Sequence, residues 1–265
     1  MNRRTIFKLG LTAAASVIPA GTLFAVQSTD LEISHQRTAL PGIGRRLRVV
    51  AVSDLHGRSH YMDMNEMISI VNGYQPDIFI LAGDIIDRSK DLGLISEFAA
   101  VKARLLKAAV MGNWEYQTGL GSEAFKLAYD SAGVQLLLNS DLEVQNLKIF
   151  GLDDLLDGRP DFKKLNVVLS ESCPSLLICH CPAGFDHIRR HSKTHVVAIS
   201  GHTHGGQIAP FGNAIITPHG SGDYVHGWYR RGNASMYVTR GIGTSVLPIR
   251  IGARPEMLVV DLEEG

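Results

Sequence analysis

The chain has 265 residues, 45% of them hydrophobic and 20% charged, which is enough to bury a full hydrophobic core in one α/β domain. Its 26 basic and 26 acidic residues cancel to a formal net charge of zero, which gives no basis for a global attraction to nucleic acid or to an acidic membrane. We therefore expect no nucleic-acid partner, and any affinity for phosphate must come from a local site.

The first 26 residues differ in character from the rest of the chain. Arg3 and Arg4 precede an uncharged run at 9–26 that is rich in Ala, Leu and Gly. This pattern resembles a twin-arginine signal, which would make the twin-arginine export machinery a partner and place the protein in the periplasm. The alternative is an ordinary secretory signal or a membrane anchor that leaves the protein facing the periplasm or exterior, because 18 uncharged residues approach the ~20 that span a bilayer. We place the folded domain at 47–265.

Five short apolar runs of strand-like composition end in Gly or Ser and a polar residue that can bind metal. The runs and the polar residues that follow them are Leu47–Val52 with Asp54 and His56, Ile78–Ala82 with Asp84, 108–111 with Asn113, 176–179 with His180, and 196–199 with His202 and His204. Helix-like stretches at 62–74 and 92–107 separate the first three runs, an alternation typical of βαβ units. Because open α/β sheets place their sites beyond the carboxyl ends of the strands, these polar residues should meet.

The remaining segments predict a second sheet. Short apolar or alternating runs are typical of strands, and they lie at 134–138, 147–150, 214–217, 235–239 and 257–261. Two further segments, 122–131 and 162–170, look helical. We therefore predict an α/β fold in which two packed mixed β-sheets are flanked by helices.

Three cysteines lie within nine residues, an odd number that is not typical of a disulfide framework. Cys179 and Cys181 flank His180 on a predicted strand, so both should point away from the face that His180 uses. We interpret Cys173, Cys179 and Cys181 as small core residues, with a soft-metal role as the alternative.

The spacing of the polar residues indicates metal binding. Asp54 and His56 are two residues apart at a strand end, so they can offer an oxygen and a nitrogen to one cation. His202 and His204 repeat this spacing, and the glycines around them allow the backbone to turn tightly around an ion. One such pair is weak evidence, but two pairs together with Gly-Asp, Gly-Asn and a strand-end His make a metal site the best interpretation.

In this order the motifs resemble those of the calcineurin-like metallophosphoesterases. The matching segments are Ser53-Asp54-Leu55-His56, Gly83-Asp84-Ile85-Ile86-Asp87, Gly112-Asn113-Trp114-Glu115, His180 and Gly201-His202-Thr203-His204. The resemblance covers roughly residues 48–261 and implies that family's four-layer sandwich. It also implies that Asp87 and Glu115 orient ligands or loops rather than touch metal.

The resemblance implies two divalent metal ions, held by seven side chains. Asp54, His56 and His204 would hold one ion, Asn113, His180 and His202 the other, and Asp84 would bridge them. We take Asp54, Asp84, Asn113 and His202 as the catalytic set. A hydroxide that bridges the ions would attack a phosphodiester or diphosphate in line. The mixed ligands suit Mn, Fe or Zn, and we favour Mn.

Trp114 departs from the family pattern, which commonly has His after Gly-Asn as an acid or a transition-state donor. Trp cannot act as that acid. His60 could replace it, water on the metal could deliver the proton, or the leaving group could need little help, as in a diphosphate. A further alternative is that Trp114 is a hydrophobic wall beside a site of degraded activity.

A narrower resemblance connects the chain with bacterial phosphodiesterases that are membrane-associated or exported by the twin-arginine route. It rests on Gly201–Gln207, on 240–245 and on the segments around Arg250 and Arg254. Within this set Arg240, Arg250 and Arg254 could clamp a substrate phosphate, with a surface or structural role as the alternative. We take Trp114, Arg240 and Arg250 as the substrate-binding residues. The substrate would be a phosphate ester or diphosphate, with a lipid-linked one as an option. The alternatives are a UDP-2,3-diacylglucosamine pyrophosphatase of lipid A biosynthesis and a metal-binding scaffold without turnover.

Overall fold

The structure is a computed structural model that describes residues 30–57 and 62–265, so the predicted signal at 1–26 and His60 lie outside the described residues. Twelve strands in this part of the chain form two six-stranded sheets. The strands are β1 (Glu32–Ala39), β2 (Leu47–Val52), β3 (Ile78–Ala82), β4 (Leu106–Val110), β5 (Gln135–Leu136), β6 (Ser140–Val144), β7 (Leu147–Leu152), β8 (Ser175–Cys179), β9 (Val196–Ser200), β10 (Gly227–Arg231), β11 (Ala234–Val238) and β12 (Glu256–Glu263).

Both sheets are mixed, with parallel strands at their centres. The first has the order β1-β12-β2-β3-β4-β5, and only β12 and β2 pair antiparallel in it. The second has the order β10-β11-β9-β8-β7-β6, with antiparallel pairs only at its two edges. Parallel central strands β2, β3, β4, β8 and β9 therefore direct their carboxyl ends toward one place.

Helices cover the outer face of each sheet. The helices are α1 (Met64–Gly73), α2 (Asn113–Gln117), α3 (Ser122–Ser131), α4 (Phe162–Ser170) and α5 (Phe185–His191). One core lies between the first sheet and α1 and α3, a second between the two sheets, and a third between the second sheet and α4 and α5. The predicted arrangement of two packed mixed sheets flanked by helices is confirmed.

The predicted helix at 92–107 was wrong. Ser89–Ala100 is a 3-10 segment, the chain is extended at Val101, and β4 begins at Leu106. The side chain of Asn72 donates to the carbonyl of Ala100 and accepts from the N–H of Lys102. These contacts take up backbone groups that a continuing helix would have used.

The predicted strand at 214–217 is also absent, and the chain there is an irregular loop. The N–H of Ile215 donates to the carbonyl of Ile208 there. The loop is apolar because Ile215 and Ile216 line a cavity rather than a core.

Three edge strands that the sequence did not indicate are present: β1, β6 and β10. In the described residues no helix is long and apolar enough to cross a membrane.

Candidate metal centre

Seven polar side chains from five strand ends meet at one edge of the sandwich. The loop after β2 carries Asp54 and His56, the loops after β3 and β4 carry Asp84 and Asn113, and those after β8 and β9 carry His180, His202 and His204. All seven are buried, with 8% or less of their surface exposed. Buried carboxylates and imidazoles need partners of opposite charge or a metal ion. Their convergence is what the strand-end pattern predicted.

Asp54, His56 and His204 form what we call the first ligand group. The Nε2 atoms of His56 and His204 lie 3.1 Å apart, and Nε2 of His204 lies 3.6 Å from Oδ1 of Asp54. One carboxylate and two imidazoles within 4.8 Å of one another match the ligand set of a divalent transition metal.

Asp84, His180 and His202 form the second ligand group. Nε2 of His180 lies 3.1 Å from Oδ2 of Asp84 and 3.2 Å from Nδ1 of His202. The far ring nitrogens face backbone carbonyls, with Nδ1 of His180 at 2.8 Å from the oxygen of Ala82 and Nε2 of His202 at 2.9 Å from that of His219. A carbonyl behind each ring fixes its proton on the far side and turns a bare nitrogen inward, as metal-binding histidines require.

Asp84 lies between the two groups. Its Oδ2 is 3.1 Å from Nε2 of His180 and 3.9 Å from Nε2 of His56, so it reaches both. Oδ1 of Asn113 is buried and has no hydrogen-bond partner among the described residues. An orphaned amide oxygen beside two carboxylate-imidazole groups is costly unless a cation binds it. The donor set therefore fits two divalent ions.

Five of the seven side chains sit on left-handed backbone, which is unusual for residues other than Gly. The φ angles are 54° at Asp54, 54° at His56, 54° at Asp84, 75° at His202 and 52° at His204. Each such position costs on the order of 1 kcal/mol or more. Strain concentrated at the candidate ligands indicates that the fold holds them for a function rather than for stability.

The motif glycines are required by crowding. A Cβ on Gly112 would lie 2.7 Å from Nε2 of His180, and one on Gly241 would lie 2.5 Å from Cβ of Asp54. Real Cβ atoms do not approach this closely. The loops around the centre can therefore pack together only where the chain has Gly.

Glu115 binds the loops of the second ligand group together. It stands at the third position of α2, is fully buried, and accepts from the N–H groups of four residues: Asp84, Ile85, Ile86 and Gly112. Burial and the nearby Asp84 raise the pKa of Glu115 to about 8, against the effect of these donors. The inferred role of Glu115 in orienting the loops agrees with this geometry.

Arg250 does not have the position that a substrate clamp needs. Its side chain is completely buried, and its guanidinium donates to the carbonyls of His204, Arg240, Gly241, Gly243 and Ala253. Its Nη2 also lies 3.1 Å from Nδ1 of His204. No substrate can reach a guanidinium in this position. Arg250 is a positioning residue for the loops of the first ligand group, and sequence reasoning assigned it wrongly because its burial depends on tertiary packing.

Arg240 is likewise engaged within the protein. Its backbone N–H donates to Oε2 of Glu256 at 2.7 Å, and its Nη2 lies 3.1 Å from Oε1 of Glu32. The cavity over the metal centre is lined by other residues. The structure thus gives Arg240 the role of tying β1 and β12 to the loop after β11, instead of the phosphate contact that the sequence suggested.

A cavity of about 860 Å³ lies over the centre and brings Asp84, Asn113, His202 and His204 into contact with solvent. Trp114 lines the cavity. Its backbone N–H donates to Oδ1 of Asp84, and its ring lies perpendicular to that of His56 with the ring centroids 5.6 Å apart. Arg88 and His219 are among the lining residues that were not singled out from the sequence. Arg88 directly follows the quoted segment Gly83–Asp87, which is the signal that could have found it.

Burial keeps three of the four imidazoles neutral. Burial lowers the pKa of His56 and of His202 to about 4 and that of His204 further, so all three rings are uncharged at neutral pH. Burial also acts against His180, but Asp84 outweighs it and raises the pKa of His180 well above its usual value. The same pairing lowers the pKa of Asp84 to about 2 despite its burial, whereas burial raises that of Asp54 to about 6.

The ligand groups at the strand ends of this two-sheet fold define a candidate two-metal protein. The sequence profile of the calcineurin-like phosphoesterase family matches residues 47–206, and the chain belongs to this family.

Similar proteins come from bacteria and from a fish. The uncharacterized metallophosphoesterase YkuE of Bacillus subtilis is 32% identical over 228 residues, 82% of this chain and 79% of that protein. An uncharacterized metallophosphoesterase of Campylobacter jejuni is 31% identical, over 98% of this chain and 70% of that protein. A crystal structure of a dimetal phosphatase from Danio rerio is 14% identical with a TM-score of 0.49, covering 74% of this chain and 87% of the other.

Proposed function

We propose that this protein is a two-metal-dependent hydrolase of phosphodiester or diphosphate bonds. The observation that carries the proposal is the position of Asp84, whose Oδ2 lies within 3.9 Å of a histidine nitrogen from each ligand group. Two cations held by these ligand groups would polarise phosphoryl oxygens and lower the pKa of bound water. Mn is the metal we favour, with Fe and Zn as alternatives.

The chain's own residues would hold and shield these ions. The backbone N–H of His202 donates to both oxygens of Asp54, at 2.9 and 3.0 Å, and so orients the first group's carboxylate. Trp114 fixes Oδ1 of Asp84 through its backbone and covers one side of His56 with its ring. Because Trp carries no transferable proton, esters with acidic leaving groups should react fastest.

The test is turnover by metal-reconstituted protein on three substrates in parallel: a nitrophenyl phosphodiester, nitrophenyl phosphate and a dinucleotide with a diphosphate bridge. We expect turnover of the diester or diphosphate that exceeds that of the monoester and is lost with a chelator. Failure of Mn, Fe and Zn to support turnover of any of them, while all three bind, would instead favour a metal-binding scaffold.

We also propose that the segment at 1–26 directs export by the twin-arginine route, so that the enzyme acts outside the cytoplasm. The support is the sequence alone: Arg3 and Arg4 precede a long uncharged run. Replacing both with Lys should leave the full-length protein in the cytoplasmic fraction. Unchanged export of the double-Lys variant would reject this route.

A further inference from the structure

Part of the cavity lining is apolar, although charged residues such as Arg88 and Asp157 line other parts of it. Six large hydrophobic residues are exposed in the described part of the chain, and three of them, Ile215, Ile216 and Val246, line the cavity. A fourth, Phe211, is fully exposed in the same loop as Ile215 and Ile216. We call these four residues the apolar rim. Exposed hydrophobic residues gathered in one place mark a binding surface, whereas scattered ones are ordinary.

Hydrogen bonds of Gln207 hold the rim loops at a fixed position near the metal centre. Gln207 is buried three residues after His204, and its side chain donates to the carbonyls of Ser245 and Leu247 and accepts from the N–H of Ser245. These bonds join the loop that carries Ile215 to the loop that carries Val246. The rim therefore stands at a fixed position relative to the ligands.

Two rim residues have strained backbone. The φ angle is 58° at Phe211 and 66° at Val246, and the second is exceptional for a β-branched side chain. Strain of this kind persists where the surrounding structure imposes it, and it gathers at ligand sites. Here it occurs at two exposed apolar side chains, of which Val246 lines the cavity.

The rim loops also lack acidic residues, lysine and arginine. Residues 205–222 and 241–249 contain no Asp, Glu, Lys or Arg, although these types make up 20% of the chain. A sugar, a nucleotide or an acidic peptide would find few partners on such a surface, whereas a hydrocarbon would be desolvated by it. The cavity gives one molecule access both to residues of the metal centre and to three residues of the rim.

We propose that the natural substrate is an amphiphile: a phosphoester with a hydrocarbon group that packs on the apolar rim while its phosphate reaches Asp84 and His202. The placement of the phosphate rests on the proposed function. The hydrocarbon contact rests only on the rim itself. Each methylene that the rim buries should strengthen binding by up to about fourfold.

The test measures binding of methyl, butyl and octyl phosphate to the metal-loaded full chain by calorimetry, below the concentration at which octyl phosphate forms micelles. We expect the Kd to fall by at least about tenfold from methyl to octyl. Replacing Ile216 and Val246 with Ser should remove most of that gain. The matched controls Leu127→Ser and Val167→Ser change exposed hydrophobics on α3 and α4 and should keep it.

A Kd that stays constant along the series would overturn the inference and leave the rim to another occupant, such as the uncharged run at 9–26. Equal losses for methyl and octyl phosphate in the rim variants would also overturn it, because the damage would then lie at the phosphate. The proposed function is judged separately by turnover. A chain-length effect without any hydrolysis would reject catalysis and retain the amphiphile.

Discussion

The two halves of the metal centre are held by buried ionisable groups of opposite character. Glu115 accepts four backbone N–H groups beside the second ligand group, and Arg250 donates to five backbone carbonyls beside the first. Loops that leave parallel strands present unpaired N–H groups in one place and unpaired carbonyls in another. The loops of the second ligand group are thus stabilised by an acceptor, Glu115, and the loops of the first by a donor, Arg250.

The difference has a consequence for metal binding. Backbone carbonyls face the far nitrogens of His180 and His202, which favours a bare nitrogen toward the ion. The far nitrogen of His204 faces Arg250, which can only donate, and Nδ1 of His56 has no partner among the described residues. The second ligand group is therefore better prepared for a metal than the first, and we expect it to fill first.

The largest effect should come from the residue that the halves share. Asp84→Ala should lower kcat by at least about 1000-fold, because one carboxylate serves both ions, and should weaken both metal-binding steps. Calorimetry and steady-state rates check this, with Asp130→Ala on the exposed face of α3 as the control. Loss of only one binding step would show that the halves are independent.

Glu115 and Arg250 should matter mainly for the stability of the fold. Glu115→Gln replaces an acceptor with an amide donor that faces N–H groups, and Arg250→Lys removes the fork that reaches several carbonyls. Each should lower the free energy of unfolding by roughly 3 kcal/mol, since a buried group left unpaired costs about 1–3 kcal/mol. Urea unfolding measures this, and the exposed substitutions Glu143→Gln and Arg254→Lys serve as controls. Losses under 1 kcal/mol would mean that the loops are held by other contacts.

The metal affinities of the two ligand groups should depend differently on pH. Asp84 raises the pKa of His180, so a metal ion must displace a proton there, and affinity at the second group should rise with pH up to that raised pKa. The first group carries Asp54 with a pKa of about 6 and neutral histidines, so its affinity should fall only as the pH drops below 6. Metal titrations at several pH values test this, and parallel slopes for both steps would contradict it.

A smaller contrast should appear between single histidines. His180→Ala should weaken the tighter metal-binding step about tenfold more than His56→Ala weakens the other, because the ring of His180 is already oriented by Ala82. Paired calorimetric titrations give the two values. Equal losses would remove the basis for ranking the two groups.

The positions of the ligands were predictable from the sequence because they follow a local rule. Asp54, Asp84, Asn113 and His180 each stand one to three residues after an apolar strand, and the carboxyl ends of such strands meet. The same reasoning placed the bounds of β2 and β3 correctly, since a buried central strand is a continuous apolar run.

What the sequence could not give depends on contacts far apart in the chain. Arg250 looks like a phosphate clamp until the loop from His204 and the loop around Gly241 close over it. The apolar run at 214–217 looks like a strand, because alternation alone does not distinguish a core from a cavity mouth. The edge strand β1 was missed, since its alternating exposed residues carry a weak pattern.

The left-handed backbone at five candidate ligands has a bearing on the lifetime of the protein in a cell. Conformational strain there lowers the cost of local opening, and a ligand that binds only the native form offsets it. Newly made chains that have not yet acquired their ions should be cut by proteases at the strand-end loops sooner than loaded ones. The supply of metal during synthesis would then set how much enzyme accumulates as well as how fast it works.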